Sequence, residues 1–179
     1  MDVENFTNPE SNILELGVHE GETVVDFGAG VGAYSIPLAE RVGELGHVYA
    51  VEVQKDFLTN IKDAAAARGF KNVDVIWGDI ERLGGTKVKD EIADCAVVSN
   101  VLFQAEDKEG LMREAKRVLK TQGKLLIVDW KDSFGNIGPT ADAVVPASVA
   151  QALAEKEGFV LKKTFDAGAH HYGIVMYKV

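Results

Sequence analysis

Cysteine is almost absent from this sequence: Cys95 stands alone, inside an apolar run. A disulfide within the chain and a thiolate metal cluster are therefore excluded, and a reducing cytoplasm is the expected location. The four prolines form no linker, and no internal repeat or low-complexity tract interrupts the chain, so one domain over residues 1–179 is expected. Basic charge is also scarce, with 19 Lys and Arg against 28 Asp and Glu and a formal net charge of −9. Such a chain repels a phosphate backbone, and no Lys/Arg run overrides this locally, so nucleic acid is not an expected partner. No apolar stretch approaches the ~20 residues that span a bilayer. The opening residues Met1-Asp2-Val3-Glu4-Asn5 lack the basic character of a leader. Membrane insertion is not expected either.

What is present is globular in balance, 46% apolar and 26% charged, and a chain of this size buries enough surface for a real core. Short apolar runs alternate with longer amphipathic ones. Strands are predicted at 23–27, 47–51, 73–77, 94–99 and 124–129, and helices at 34–42, 56–68 and 106–120. Continuous apolar strands alternating with amphipathic helices are what a parallel sheet covered on both faces requires. The crossover rule then gives a doubly wound α/β sheet. The last third departs from that rhythm. After a helix at 148–157, strands at 159–165 and 171–177 are joined by only Asp166-Ala167-Gly168-Ala169-His170. Parallel neighbours need a dozen or more connecting residues, so the final strand must run antiparallel.

Chemistry concentrates at the strand ends. Val25-Asp26-Phe27-Gly28-Ala29-Gly30-Val31-Gly32 allows a tight strand-to-helix turn, with ligand against bare backbone and free N–H groups at the following helix start. Alone it also fits the dinucleotide variant G-x-G-x-x-A. Glu52 closes the second strand about 20 residues beyond Gly32, where a carboxylate can accept from a ribose diol. This supports a nucleoside without choosing between S-adenosylmethionine (SAM) and NAD. Asp26 discriminates, because an acid in the first turn suits an ammonium and a sulfonium and sits poorly beside a pyrophosphate. Asp79, in Trp77-Gly78-Asp79-Ile80, ends the third strand, where an exocyclic adenine amine can be held while Ile80 packs the ring. Ligands of open α/β sheets bind at this carboxyl edge.

The order Asp-x-Gly-x-Gly-x-Gly, strand-end Glu, Gly-Asp-Ile and antiparallel last strand resembles class I SAM-dependent methyltransferases. Within them the chain is similar to the small-molecule group that includes the ubiquinone/menaquinone-biosynthesis C-methyltransferases. The resemblance implies a Rossmann-like, seven-stranded, mostly parallel sheet of order 3-2-1-4-5-7-6 with the last strand antiparallel. It implies SAM as cofactor and a small-molecule acceptor. Gly28, Ala29, Gly30 and Gly32 would line the methionine moiety with Asp26 nearby. Glu52 would hold the ribose and Val53 flank the adenine. Asp79 and Ile80 would address the adenine edge, and Asn100 would lie close to the methyl. Arg117-Val118-Leu119-Lys120 matches the family's Arg-Val-Leu-Lys-Pro-Gly-Gly turn, but here Thr121-Gln122-Gly123 follows.

A general base is needed only for an acceptor that must lose a proton. His171 and His170, opening the final strand, and Asp129, ending the fifth, are the candidates, with His171 preferred because imidazole titrates near neutrality. Loop histidines satisfied by water or backbone are the plainer alternative. Asn100 and Asp129 occupy places that hold metal ligands in metal-dependent O-methyltransferases of this fold. The fourth-strand carboxylate is missing, however, and the adjacent histidines lack chelating spacing, so no metal is expected. The Asn/Asp-Pro-Pro-aromatic tetrapeptide is absent, and Cys95 lies inside a strand, which argues against amino-methylating DNA enzymes and cysteine-dependent methylation such as that of arsenic. Among Trp77, Phe103, Trp130 and Phe134, an acceptor pocket competes with plain core packing, the latter expected for Trp77 above all. The N-terminal arm within residues 1–20, chiefly 6–16, is the main lid candidate, with a flap at 134–146 as the second. Either the lid is minimal, or a second copy in a homodimer or a large substrate completes the site. An NAD-dependent oxidoreductase and a non-catalytic SAM-binding module are the competing readings.

Overall fold

The computed structural model describes residues 7–135 and 137–179. Seven strands form one sheet of order β3-β2-β1-β4-β5-β7-β6. In chain order they are β1 Thr23–Phe27, β2 His47–Glu52, β3 Val73–Trp77, β4 Ala93–Ser99, β5 Leu119–Trp130, β6 Phe159–Gly168 and β7 His171–Lys178. Strands β1 to β5 pair in parallel, while β7 is antiparallel to both β5 and β6. The helices are α1 Pro9–Leu16, α2 Ser35–Val42, α3 Lys55–Ala67, α4 Lys108–Val118 and α5 Ala147–Lys156.

Side-chain alternation divides the core between two faces. Val24, Val48, Cys95, Val97, Leu126 and Val175 pack with Ile13 and Leu16 of α1 and Leu38 and Val42 of α2. Val25, Ala96, Val98, Leu125, Ile127 and Met176 point the other way, against Leu111, Met112 and Val118 of α4 and Ala150 and Ala154 of α5. Each fully buried Leu, Ile or Met contributes ~1.5–3 kcal/mol of transfer free energy. Two lysines tie α1 to the sheet: Lys163 pairs with Glu15, and Lys124, ion-paired with Glu22, donates to the Gly17 carbonyl at the helix end.

Three expectations are corrected. Helix α4 ends at Val118, and β5 begins at once with Leu119 opposite Ala93. The next pair is Cys95 with Lys124, so residues 120–123 bulge out of register around Gln122 at φ 65°. The β6–β7 hairpin is tighter than expected, with β6 running on to Gly168. Trp77 is not a core residue: it is 53% exposed at the end of edge strand β3, with the Lys55 and Lys87 ammoniums over its ring. An edge strand lacks the second neighbour that would have covered it. No helix among the described residues is long and apolar enough to cross a membrane.

Candidate cofactor cleft

A cleft of about 750 Å³ opens at the carboxyl ends of β1, β2, β3 and β4. The glycine turn after β1 forms its floor. Gly28 is left-handed at φ 73°, and a Cβ there would stand 2.8 Å from Val101 Cγ2. Gly30, at φ 53°, has open space where a side chain would be. The first position needs glycine because the neighbouring wall is close; the second leaves bare backbone facing the cleft.

Each acid is held by its own local structure. Asp26 is 2% exposed, and its Oδ2 accepts from Ser35 Oγ at 2.6 Å. Burial pushes its pKa up to about 6, the Ser35 bond opposing and the nearby Glu52 charge adding to the rise. Glu52 Oε2 accepts from Gly30 N at 2.9 Å, and Oε1 from Val53 N and Gln54 N, both at 2.8 Å. One carboxylate thereby shapes the turn and keeps lone pairs for a ligand. Asp79 Oδ1 accepts from Glu81 N at 3.0 Å. Val53, Phe57 and Ile80 add apolar wall beside it.

The structure therefore brings Asp26, Gly28, Ala29, Gly30, Glu52, Val53, Asp79, Ile80 and Asn100 onto one cleft. Gly32 lies just behind, where a Cβ would meet Ile61 Cγ1 at 3.3 Å. Among the described residues the charged side chains of the wall are Asp26, Glu52, Asp79 and Glu81, and none is Lys, Arg or His. The arm contributes Thr7 and Pro9; residues 1–6 of the expected lid lie outside the described residues.

The three candidate bases lie elsewhere. Asp129 is fully buried, Oδ2 accepting from Leu102 N and Oδ1 from Trp130 N, both at 2.8 Å. Burial raises its pKa to about 6, with backbone N–H groups of residues 101–103 and 130 opposing. It anchors the loop after β4. His170 pairs with Asp132 at 2.8 Å and packs on Phe134, away from the cleft. His171 is 1% exposed, and its Nε2 stands 2.9 Å from Asn100 Oδ1, so it reaches the cleft through that residue. No group of three or more His, Cys, Asp or Glu among the described residues is placed to hold a metal ion.

Sequence reasoning missed Ser35, Tyr34 and Ser99. A serine in the first turn after the glycine loop was the available signal for Ser35. Tyr34 Oη accepts from Asn12 Nδ2 at 2.8 Å, and burial raises its pKa. Ser99 Oγ faces the Tyr34 hydroxyl without reaching hydrogen-bond geometry and has no partner among the described residues. A buried orphan hydroxyl on a cleft wall fits a site built for a polar ligand.

The profile of the methyltransferase domain family matches residues 18–172. The ubiquinone/menaquinone biosynthesis C-methyltransferase of Haemophilus ducreyi is 30% identical over 115 residues, covering 64% of this chain and 43% of that protein. Human arsenite methyltransferase is 35% identical over 112 residues, covering 59% of this chain and 30% of that protein. The chain spans less than half the length of these curated relatives. A crystal structure of a SAM dependent methyltransferase from Aquifex aeolicus matches with a TM-score of 0.88 at 28% identity, covering 97% of this chain and 91% of that one. The profile match takes in β1 to β6 and the first residues of β7, and with the observed strand order it makes this chain a class I member of the methyltransferase domain family.

Proposed function

We propose that the chain is a SAM-dependent methyltransferase acting on a small-molecule acceptor. The observation that carries this reading is the charge of the cleft: four carboxylates and no cationic side chain among its described residues. Such a wall favours a ligand bearing a sulfonium and an ammonium. It disfavours NAD, whose pyrophosphate would lie close to these acids with no cationic side chain among the described residues to offset them.

The residues fit the cofactor part by part. Asp26 suits the ammonium, Glu52 the ribose hydroxyls, and Asp79 with Ile80 the adenine edge and face, while the bare Gly30 backbone lets the chain lie close. When bound, SAM supplies a methyl group already activated on sulfur. The protein's share is placement, worth roughly 7–11 kcal/mol when nucleophile and methyl are held in line. Asp129 and His170 are each engaged away from the cleft, so no proton transfer is assigned to them. Cys95 is fully buried and burial pushes its thiol pKa up, so it offers no thiolate nucleophile.

The net acidic charge supports a small molecule over nucleic acid as partner, and the buried free cysteine supports a cytoplasmic location. The arm at Thr7 and Pro9 supports a lid; a second copy, forming a homodimer, is the route to closure if the arm does not suffice. Calorimetric titration with SAM, S-adenosylhomocysteine and NAD tests the reading. Micromolar binding of the first two and none of NAD is expected, and binding of NAD alone would remove it. Turnover then separates the enzyme from a non-catalytic SAM-binding module.

A further inference from the structure

Asn100 sits one residue beyond β4 in the left-handed region, φ 57°, a conformation asparagine tolerates well. Its backbone is held on both sides: N–H donates to Val128 O at 2.8 Å, and C=O accepts from Gln104 Nε2 at 2.9 Å. Its side-chain oxygen lies 2.9 Å from His171 Nε2. Oδ1 carries no hydrogen, so the imidazole nitrogen is the donor. His171 pairs across the sheet with Trp130, and its ring packs on that indole with centroids 4.3 Å apart. Every acceptor of Asn100 is therefore engaged within the protein. Its Nδ2 hydrogens make no hydrogen bond to the described residues, and Asn100 lines the cleft.

We propose that His171 is a positioning residue that locks the Asn100 carboxamide so that it offers only N–H donors to the cleft, and that the ligand group opposite is an oxygen lone pair. In a cleft with no cationic side chain among its described residues, an oriented carboxamide is a means of holding such an oxygen without a full charge. Resting on the methyltransferase reading above, the oxygen has two sources: the carboxylate at the amino-acid end of the cofactor, or a carbonyl, ether or hydroxyl oxygen on the methyl acceptor.

Long-range nitrogen–proton NMR of the isotope-labelled protein at pH 7.5 is the first test. A His171 ring carrying a hydrogen on Nε2 is expected. A ring protonated on Nδ1 alone overturns the proposal, because Nε2 would then accept and the carboxamide would turn its oxygen to the cleft. His171→Leu should shift the Asn100 side-chain amide signals and His171→Gln, which places a donor at similar reach, should restore them; failure of the glutamine to restore them also overturns it. Asn100→Asp, titrated with S-adenosylhomocysteine and with 5′-methylthioadenosine, which lacks the amino-acid end, separates the sources. Loss of about tenfold or more for the first ligand alone assigns the cofactor carboxylate. Unchanged affinity for both assigns the acceptor, and equal loss of both overturns the donor role. A wild type with the Nε2–H ring that binds neither nucleoside would remove the methyltransferase reading and leave the locked donor standing.

Discussion

Ser35 Oγ donates to Asp26 Oδ2 across 2.6 Å, tying the first turn of α2 back to the strand that precedes the glycine loop. Strand, loop and helix start are thus clamped around one buried acid. The clamp stabilises the carboxylate less than burial destabilises it, and the net result is a pKa of about 6 in place of 3.8.

That shift sets a pH dependence. The folded state holds the Asp26 proton more tightly than the unfolded chain does. Stability is therefore greatest below pH 4 as far as this group is concerned, and declines as pH rises from about 4 to above 6. The shift corresponds to roughly 3 kcal/mol. Asp129 moves in the same direction and window. Asp26→Asn is expected to stabilise the ligand-free protein at pH 7.5 by ~1–3 kcal/mol while weakening SAM binding by about tenfold or more. Urea denaturation at pH 5 and 7.5 and calorimetry at pH 7.5 measure both. Undiminished SAM affinity in Asp26→Asn would mean the cationic group lies elsewhere.

Glu52→Ala removes the acceptor for three backbone N–H groups as well as the proposed ribose partner. Loss of charge-assisted bonds of ~1.5–3 kcal/mol predicts at least about a tenfold weaker SAM affinity. Glu52→Gln keeps one oxygen and should fall between. Equal affinities for wild type and Glu52→Ala would show that the carboxylate serves only the turn.

The sheet was legible because its signals are strong and local. Continuous apolar runs such as Leu125 to Val128 demand burial on both faces, and the short link before His171 forces an antiparallel partner. Strand-end acids were legible for the same reason, since chain direction alone puts Asp26, Glu52 and Asp79 on one edge. Side-chain direction at Asp129 was not. Every residue from Leu125 to Trp130 is buried, so the alternation that would tell cleft from core is erased. Trp77 misled in the opposite way: its apolar ring suggests a core, although the strand order that the resemblance implies already puts β3 at an edge. The Asn100–His171 contact joins positions 71 apart in sequence, beyond any local pattern.

Gly28→Ala tests the floor of the cleft. A left-handed backbone costs an ordinary residue roughly 1–2 kcal/mol, and the new Cβ would stand 2.8 Å from Val101 Cγ2. Relief moves the loop after β4, which carries Asn100. A stability loss of ~1–3 kcal/mol with a drop in SAM affinity is expected from denaturation and calorimetry. Gly30→Ala meets no side chain and loses only the backbone preference, so it should fold better than Gly28→Ala yet bind poorly, because its methyl enters the space assigned to ligand.

Asn12 decides whether the arm behaves as a lid. Its Nδ2 donates to Thr7 Oγ1 at 2.9 Å and to Tyr34 Oη at 2.8 Å, bridging the arm to the cleft wall from a 2% exposed position. The other end of α1 is fastened independently by the buried Ile13 and Leu16 and by the Glu15–Lys163 pair. Asn12→Ala leaves the Tyr34 hydroxyl short of a donor and should cost ~1–3 kcal/mol. The loss should fall on one end only. Amide hydrogen exchange is expected to accelerate for residues 7–12 and to stay slow for the amides that follow, through Gly17, with S-adenosylhomocysteine restoring protection at the first group. Uniform acceleration along α1 would make the helix one rigid unit and rule out a lid hinged at Asn12.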